Sequence, residues 1–168
     1  MNVKKENATI QLYGVLVEEA IYGIIDLDGL KEEILKYKDE GAEIFWSPNS
    51  KLKVTKSNLD IVVMCENPDL LQFVIEEFVV KEKLNINMMN GDGETALDQA
   101  YKIYLKKSKD DIVKILRENG AKTTREIYEE QMLKNSKIKT EKSLDKELIK
   151  SKNKEKYNRK IKNKERER

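Results

Sequence analysis

The sequence predicts an all-α fold, a helix-turn-helix solenoid with one β-hairpin insertion and a charged C-terminal tail. Three observations predict it. Apolar residues recur at helical spacing in segments that stop on glycine, at Gly41 and Gly120. The plan of short helix, break, second helix and stop occurs three times. Laid over one another, Val17, Leu59 and Leu97 coincide, then Glu18, Asp60 and Asp98, then Ala20, Val62 and Ala100, and later Ala42, Leu84 and Ala121. Beyond residue 135 the apolar content collapses and charge takes over. A helix pair this small cannot bury its own apolar face, so neighbouring pairs must do it by stacking.

The elements follow in order. Residues 1–11 are polar and expected to be flexible. The first unit spans 12–44: Leu12, Val15, Leu16, Ala20 and Ile21 have helical spacing, and Gly23 is a stop. Asp26 and Asp28 offer an acidic cap and first turn for the next helix. Leu30, Ile34, Leu35 and Tyr37 share its apolar side, and Gly41 ends it. Residues 43–56 hold two short extended runs around Ser47-Pro48-Asn49-Ser50, which predicts a β-hairpin carrying Trp46, the only tryptophan.

The second unit spans 57–87. Ser57 stands in capping position, and Asn67-Pro68-Asp69 breaks the chain and starts a helix with proline near its first turn. Leu70, Leu71, Phe73, Val74, Ile75 and Phe78 make that helix apolar around most of its circumference, so it belongs at the centre. The third unit spans 88–121. Gly91-Asp92-Gly93 supplies positive-φ positions for a turn, Thr95 caps a helix, Asp110 or Asp111 begins another, and Gly120 ends it. A capping helix over 124–134, with Thr124 as its cap, precedes a tail over 135–168 that is expected to be disordered or a frayed helix.

The third unit is similar to a known family. Asn85-Ile86-Asn87, then Asp92-Gly93-Glu94-Thr95-Ala96-Leu97-Asp98-Gln99-Ala100, resembles the turn and first helix of an ankyrin repeat. Ile112-Val113-Lys114-Ile115-Leu116 with Gly120-Ala121 resembles that family's second helix and Gly-Ala ending. The likeness covers roughly residues 12–130, in about three divergent copies. Leu59, Asp60, Thr95, Leu97, Asp98, Ala100, Gly41, Gly93 and Gly120 stand at its signature positions. The signature proline is Ala96 or Asn58, and its histidine is Asp98 or Asp60. The hydroxyl–imidazole bond between repeats is therefore lost, and the aspartates are left to accept from backbone N–H groups or the capping hydroxyl. The resemblance implies non-catalytic binding of another protein through a concave groove and projecting turns, in an adaptor or inhibitor role, by a monomer. Phe45, Trp46, Met88, Met89 and Asn90 are the candidate contact residues.

Composition narrows the chemistry. The 168 residues contain no histidine, which removes imidazole as a base, metal ligand or phosphate carrier. Asn90-Gly-Asp92-Gly-Glu94 fails as a calcium loop, because Met88 and Gln99 stand where the EF-hand needs carboxylates. No Gly-Lys-Ser/Thr follows its glycines, so it is no phosphate loop either. Cys65 is the only cysteine and reads as a buried structural thiol. No catalytic, cofactor or metal site is expected, and no small-molecule substrate. No signal peptide or membrane span is evident, so a cytoplasmic protein is expected, with signal-independent export left open. The rival function lies in the tail. Glu141–Arg168 has 12 basic and 6 acidic residues, against 21 basic and 25 acidic in residues 1–140. Such a tail suits nucleic acid or an anionic membrane.

Overall fold

In the computed structural model, residues 3–46, 55–104, 110–138 and Lys150 are described. They are all-helical: α1 (Val3–Tyr22), α2 (Leu27–Asp39), α3 (Asn58–Met64), α4 (Pro68–Val74) continuing as a π-helical stretch (Ile75–Val80), α5 (Ala96–Tyr104), α6 (Asp110–Glu118) and α7 (124–138). No strand occurs among the described residues. The chain divides into two compact units, residues 1–126 and 127–168. Within the second, α7 runs on from 127 to 138, and Ser136 Oγ donates to the Leu133 carbonyl at 2.9 Å.

The first unit has two rows of helices. α1 packs on α3 and α3 on α5, while α2, α4 and α6 form a second row behind them. Leu12 and Leu16, Ile34, Leu59 and Val62, Leu70 and Leu71, Ile75, Leu97, Ile112 and Leu116 are among the largest fully buried side chains of the described residues. Both rows therefore share one core, as expected of pairs that bury their faces against each other.

Local chemistry sets the helix ends. Asp26 Oδ1 accepts from Gly29 N at 3.0 Å, and Asn67 Oδ1 from Leu70 N at 2.9 Å. Ser57 and Asp60 form a reciprocal capping box at the start of α3. The second-row helices share one ending. Ala42 N donates to Tyr37 O, Leu84 N to Val79 O and Ala121 N to Leu116 O, all at 2.9 Å. The residue before each donor has positive φ: Gly41 at 92°, Lys83 at 53° and Gly120 at 82°. The middle copy lacks the glycine but keeps the turn. It is also one residue longer, 16 from the Asn67 cap to Lys83 against 15 from the Asp26 cap to Gly41. The π-helical stretch absorbs that residue, with Lys81 N donating to Glu76 O.

Several expectations need correction. α1 begins at Val3, and Ala8 and Thr9 are buried, so the helix starts well before Leu12. The register that pairs Val17 with Leu59 and Leu97 holds only for the latter two, which are fully buried, whereas Val17 is half-exposed. Thr9 Oγ and Asn58 Nδ2 both bond the backbone of Glu43, and Cys65 Sγ lies 3.7 Å from Leu16 O. α1 therefore matches α3 at Thr9 and Leu16 and overshoots it up to Tyr22. The hairpin expected over 43–56 falls largely on residues 47–54, outside the described residues, and its flanks at 43–46 and 55–56 are not strands. Gly91 does not have positive φ. Its need for glycine is contact, since a Cβ there would lie 3.1 Å from Thr55 Cβ and 3.3 Å from Thr55 Cα. The capping helix runs to 138, past 134, and its cap is Thr123, whose Oγ accepts from Glu126 N at 3.2 Å while Glu126 accepts from Thr123 N at 2.7 Å. The rest of the tail lies outside the described residues, apart from helical Lys150.

Candidate functional site

A cleft of about 610 Å³ opens where α2 and the π-helical stretch end. Its apolar lining is Ile44, Phe45, Trp46, Phe78, Leu84 and Met88, and its charged lining is Lys5, Lys38, Asp39, Glu43 and Glu82. That volume is within the range of about 300–1,000 Å³ in which side chains and small molecules bind.

The segment 43–46 is held from both sides. Glu43 N donates to Thr9 Oγ at 3.0 Å and Glu43 O accepts from Asn58 Nδ2 at 2.7 Å. Leu59 N donates to Ile44 O at 3.0 Å and Asn58 N to Trp46 O at 3.1 Å. Ile44 is thereby driven into the core, 1% exposed, while Phe45 and Trp46 stay half-buried beside the cleft. Trp46 meets Tyr13 of α1 edge-on, with ring centroids 5.9 Å apart at 77°. Burial, then the Asp60 carboxylate, hold the Tyr13 phenol above its usual pKa. Opposite, Met88 is 48% exposed.

The charges are largely paired with one another. Lys5 Nζ sits 2.6 Å from Glu43 Oε1. Lys38 Nζ lies 3.2 Å from Glu77 and 3.5 Å from Glu82, and 5.6 Å from the centre of the Phe78 ring. Glu77 also bonds Lys81; the Lys81 and Lys38 ammonium groups keep its carboxyl below the usual value against the effect of burial. Asp39 makes no ion pair among the described residues.

The structure thus brings Phe45, Trp46 and Met88 together and leaves two other candidates aside. Met89 is half-buried and does not line the cleft. Asn90 is committed to the fold: its Oδ1 accepts from Asp92 N and Glu94 N, and its Nδ2 donates to Asp60 Oδ2 at 2.9 Å. Lys5, Lys38, Phe78 and Leu84 were missed as lining residues. Phe78 was legible only as core, and nothing in the linear order links Lys5 to Leu84.

Asp60 and Asp98 each bond both their own helix start and a residue about 26–30 positions further on. Asp60 Oδ2 accepts from Ser57 N, Ser57 Oγ and Asn90 Nδ2 at 2.7–2.9 Å. Asp98 Oδ2 accepts from Thr95 N and Oγ at 3.0 and 2.9 Å, and from Thr124 N and Oγ at 2.9 and 2.6 Å. The single Thr95 Oγ proton is shared between Asp98 Oδ2 and Lys122 O, the latter 2.8 Å away, and Asn87 bridges Gly120 O and Lys122 N. Gly93, also at positive φ (75°), completes the turn before Thr95. Leu97 and Ala100 are fully buried beneath it.

No family model matches the chain, and no curated protein matches it. Among the described residues, no helix is long and apolar enough to cross a membrane, and no three carboxylate or thiol groups converge as a metal site.

Proposed function

We propose that the chain is a divergent ankyrin-type solenoid acting as a non-catalytic protein-binding module, adaptor or inhibitor, with the cleft at Phe45, Trp46 and Met88 as its principal contact. The observation that carries this reading is the grouping of those three apolar side chains, drawn from two successive inter-unit turns, at one opening. Large, partly exposed aromatic and methionine side chains over a packed floor are the usual anchors of protein contacts. The ankyrin assignment is supported by the two helix rows, the repeated Schellman-type endings and the aspartate-to-next-unit bonds. The projecting turn that the resemblance implies falls between Trp46 and Thr55, on residues outside those described.

The test uses the full chain as bait in a lysate of its own cells, beside Trp46→Ala/Met88→Ala and a variant with the lysines and arginines of 141–168 changed to glutamine. A specific partner retained by the tail variant and lost by the cleft variant is expected. The reverse result, with retention falling steeply as salt rises, would replace this reading by polyanion binding through the tail.

A further inference from the structure

We infer that the cleft selects an apolar or aromatic side chain with a lysine or arginine close beside it in the partner's sequence. This rests on the protein-binding reading above and adds the partner's chemistry. The floor built by Ile44, Phe45, Phe78 and Leu84 accepts the apolar anchor. Charge decides its neighbour. Both ammonium groups in the lining are already engaged, Lys5 by Glu43, and Lys38 by Glu77 and Glu82. An incoming carboxylate would have to displace one of those partners. The lining carboxylates outnumber the lining cations, with Asp39, Glu43 and Glu82 against Lys5 and Lys38, and Asp39 makes no ion pair among the described residues.

The backbone points the same way. Asp39 is the last residue of α2, with Gly41 and Ala42 just past its end, and Glu82 and Leu84 lie just past the end of the π-helical stretch. Two helix C-termini therefore converge on one opening, and each carries about half a negative charge that favours a cation. A guanidinium or ammonium next to an apolar anchor meets a carboxylate without an ion pair among the described residues, and both dipole ends. Glu82, with its side chain 55% exposed, is placed to share it.

The experiment selects a displayed library of random twelve-residue peptides on the immobilised full chain at physiological salt. Recovered peptides are then synthesised and titrated against Trp46 emission, which reports the cleft because Trp46 is the sole tryptophan. We expect a shared aromatic, leucine or methionine with lysine or arginine within three positions. Asp39→Asn/Glu82→Gln should weaken those peptides about three- to tenfold, as a charge pair at a rim does. The same double variant should leave unchanged the versions of those peptides whose basic residue is glutamine. Both side chains are exposed, so the variant keeps the fold, which circular dichroism verifies. Peptides that perturb Trp46 but lack a basic residue, or that bind the double variant equally well, overturn the inference and leave the protein-binding cleft standing. Failure to recover any peptide sensitive to Trp46→Ala overturns the cleft itself, and this inference with it.

Discussion

The Asp98 carboxylate of α5 holds Thr124, at the start of α7, by two bonds to one oxygen: the hydroxyl at 2.6 Å and the backbone N–H at 2.9 Å. Twenty-six residues separate them, so the contact joins α5 to the start of α7 rather than capping one helix. Asp60 does the same one unit earlier through Asn90. Loss of this lock should be visible. Asp98→Asn lowers unfolding free energy by about 1–3 kcal/mol, the range for hydrogen bonds to a charged group. A double-mutant cycle with Thr124→Val in urea should give a coupling above about 0.5 kcal/mol. Additive effects would mean that the contact contributes nothing to stacking.

Acid should release the same end of the first unit. Burial raises the Asp98 pKa, but the bonds from Thr124 and Thr95 outweigh it and hold the carboxyl below its usual value. Glu126 is pulled down to about 2, first by the Arg117 guanidinium 2.7 Å away and then by Thr123 N–H. Folded values below the unfolded ones give stability that is complete above about pH 4.5 and lost as pH falls through the folded values. Thermal melts should thus be nearly flat, as far as these groups are concerned, from pH 7 to 5. The midpoint should drop between pH 4 and 2, less steeply in Asp98→Asn/Glu126→Gln. An unchanged acid slope in that variant would refute the assignment.

Lys83 is the flawed copy of a repeated turn. It occupies the left-handed position, φ 53°, that glycine holds at Gly41 and Gly120. Lys83→Gly should stabilise the protein by about 1 kcal/mol by removing the Cβ penalty, less the extra freedom glycine gains when unfolded. Gly120→Ala should do the opposite by about 1 kcal/mol; no atom lies within 4 Å of a Cβ there, so its cost is backbone strain alone. Urea midpoints measure both, and a destabilised Lys83→Gly would show that the lysine side chain matters to the fold.

Cys65 should be unreactive in the folded protein. Burial, then the Glu19 charge, push its thiol up to about 12. At pH 8 only about one molecule in ten thousand is thiolate, and the thiolate is the reacting form. Iodoacetamide labelling followed by mass spectrometry should be slow in buffer and fast in 6 M guanidinium, about as fast as for a model peptide. Rapid native labelling would mean that the end of α3 opens locally.

The sequence by itself determined what local chemistry and periodicity can encode. Asp26, Ser57 and Asn67 act as caps because their side-chain oxygens reach the next N–H groups whatever lies beyond. Gly41 and Gly120 stop helices because the turn needs positive φ. The acceptor role of Asp60 and Asp98 toward the N–H and hydroxyl of Ser57 and Thr95 was legible for the same reason.

Only the tertiary structure decided the rest. α1 extends back to Val3 because Ala8 and Thr9 pack against distant partners, Thr9 bonding Glu43; a polar run such as Lys4-Lys5-Glu6-Asn7 gives no sign of that. Thr124 was expected to cap α7, but Asp98 competes for its hydroxyl, and Thr123 takes the cap. Asn90, read as a contact residue, is held by Asp60 from the preceding unit. The cleft itself joins residues from Lys5 to Met88. Proximity of that kind is created by stacking, which buries faces shared between units, and no spacing within one unit can show it.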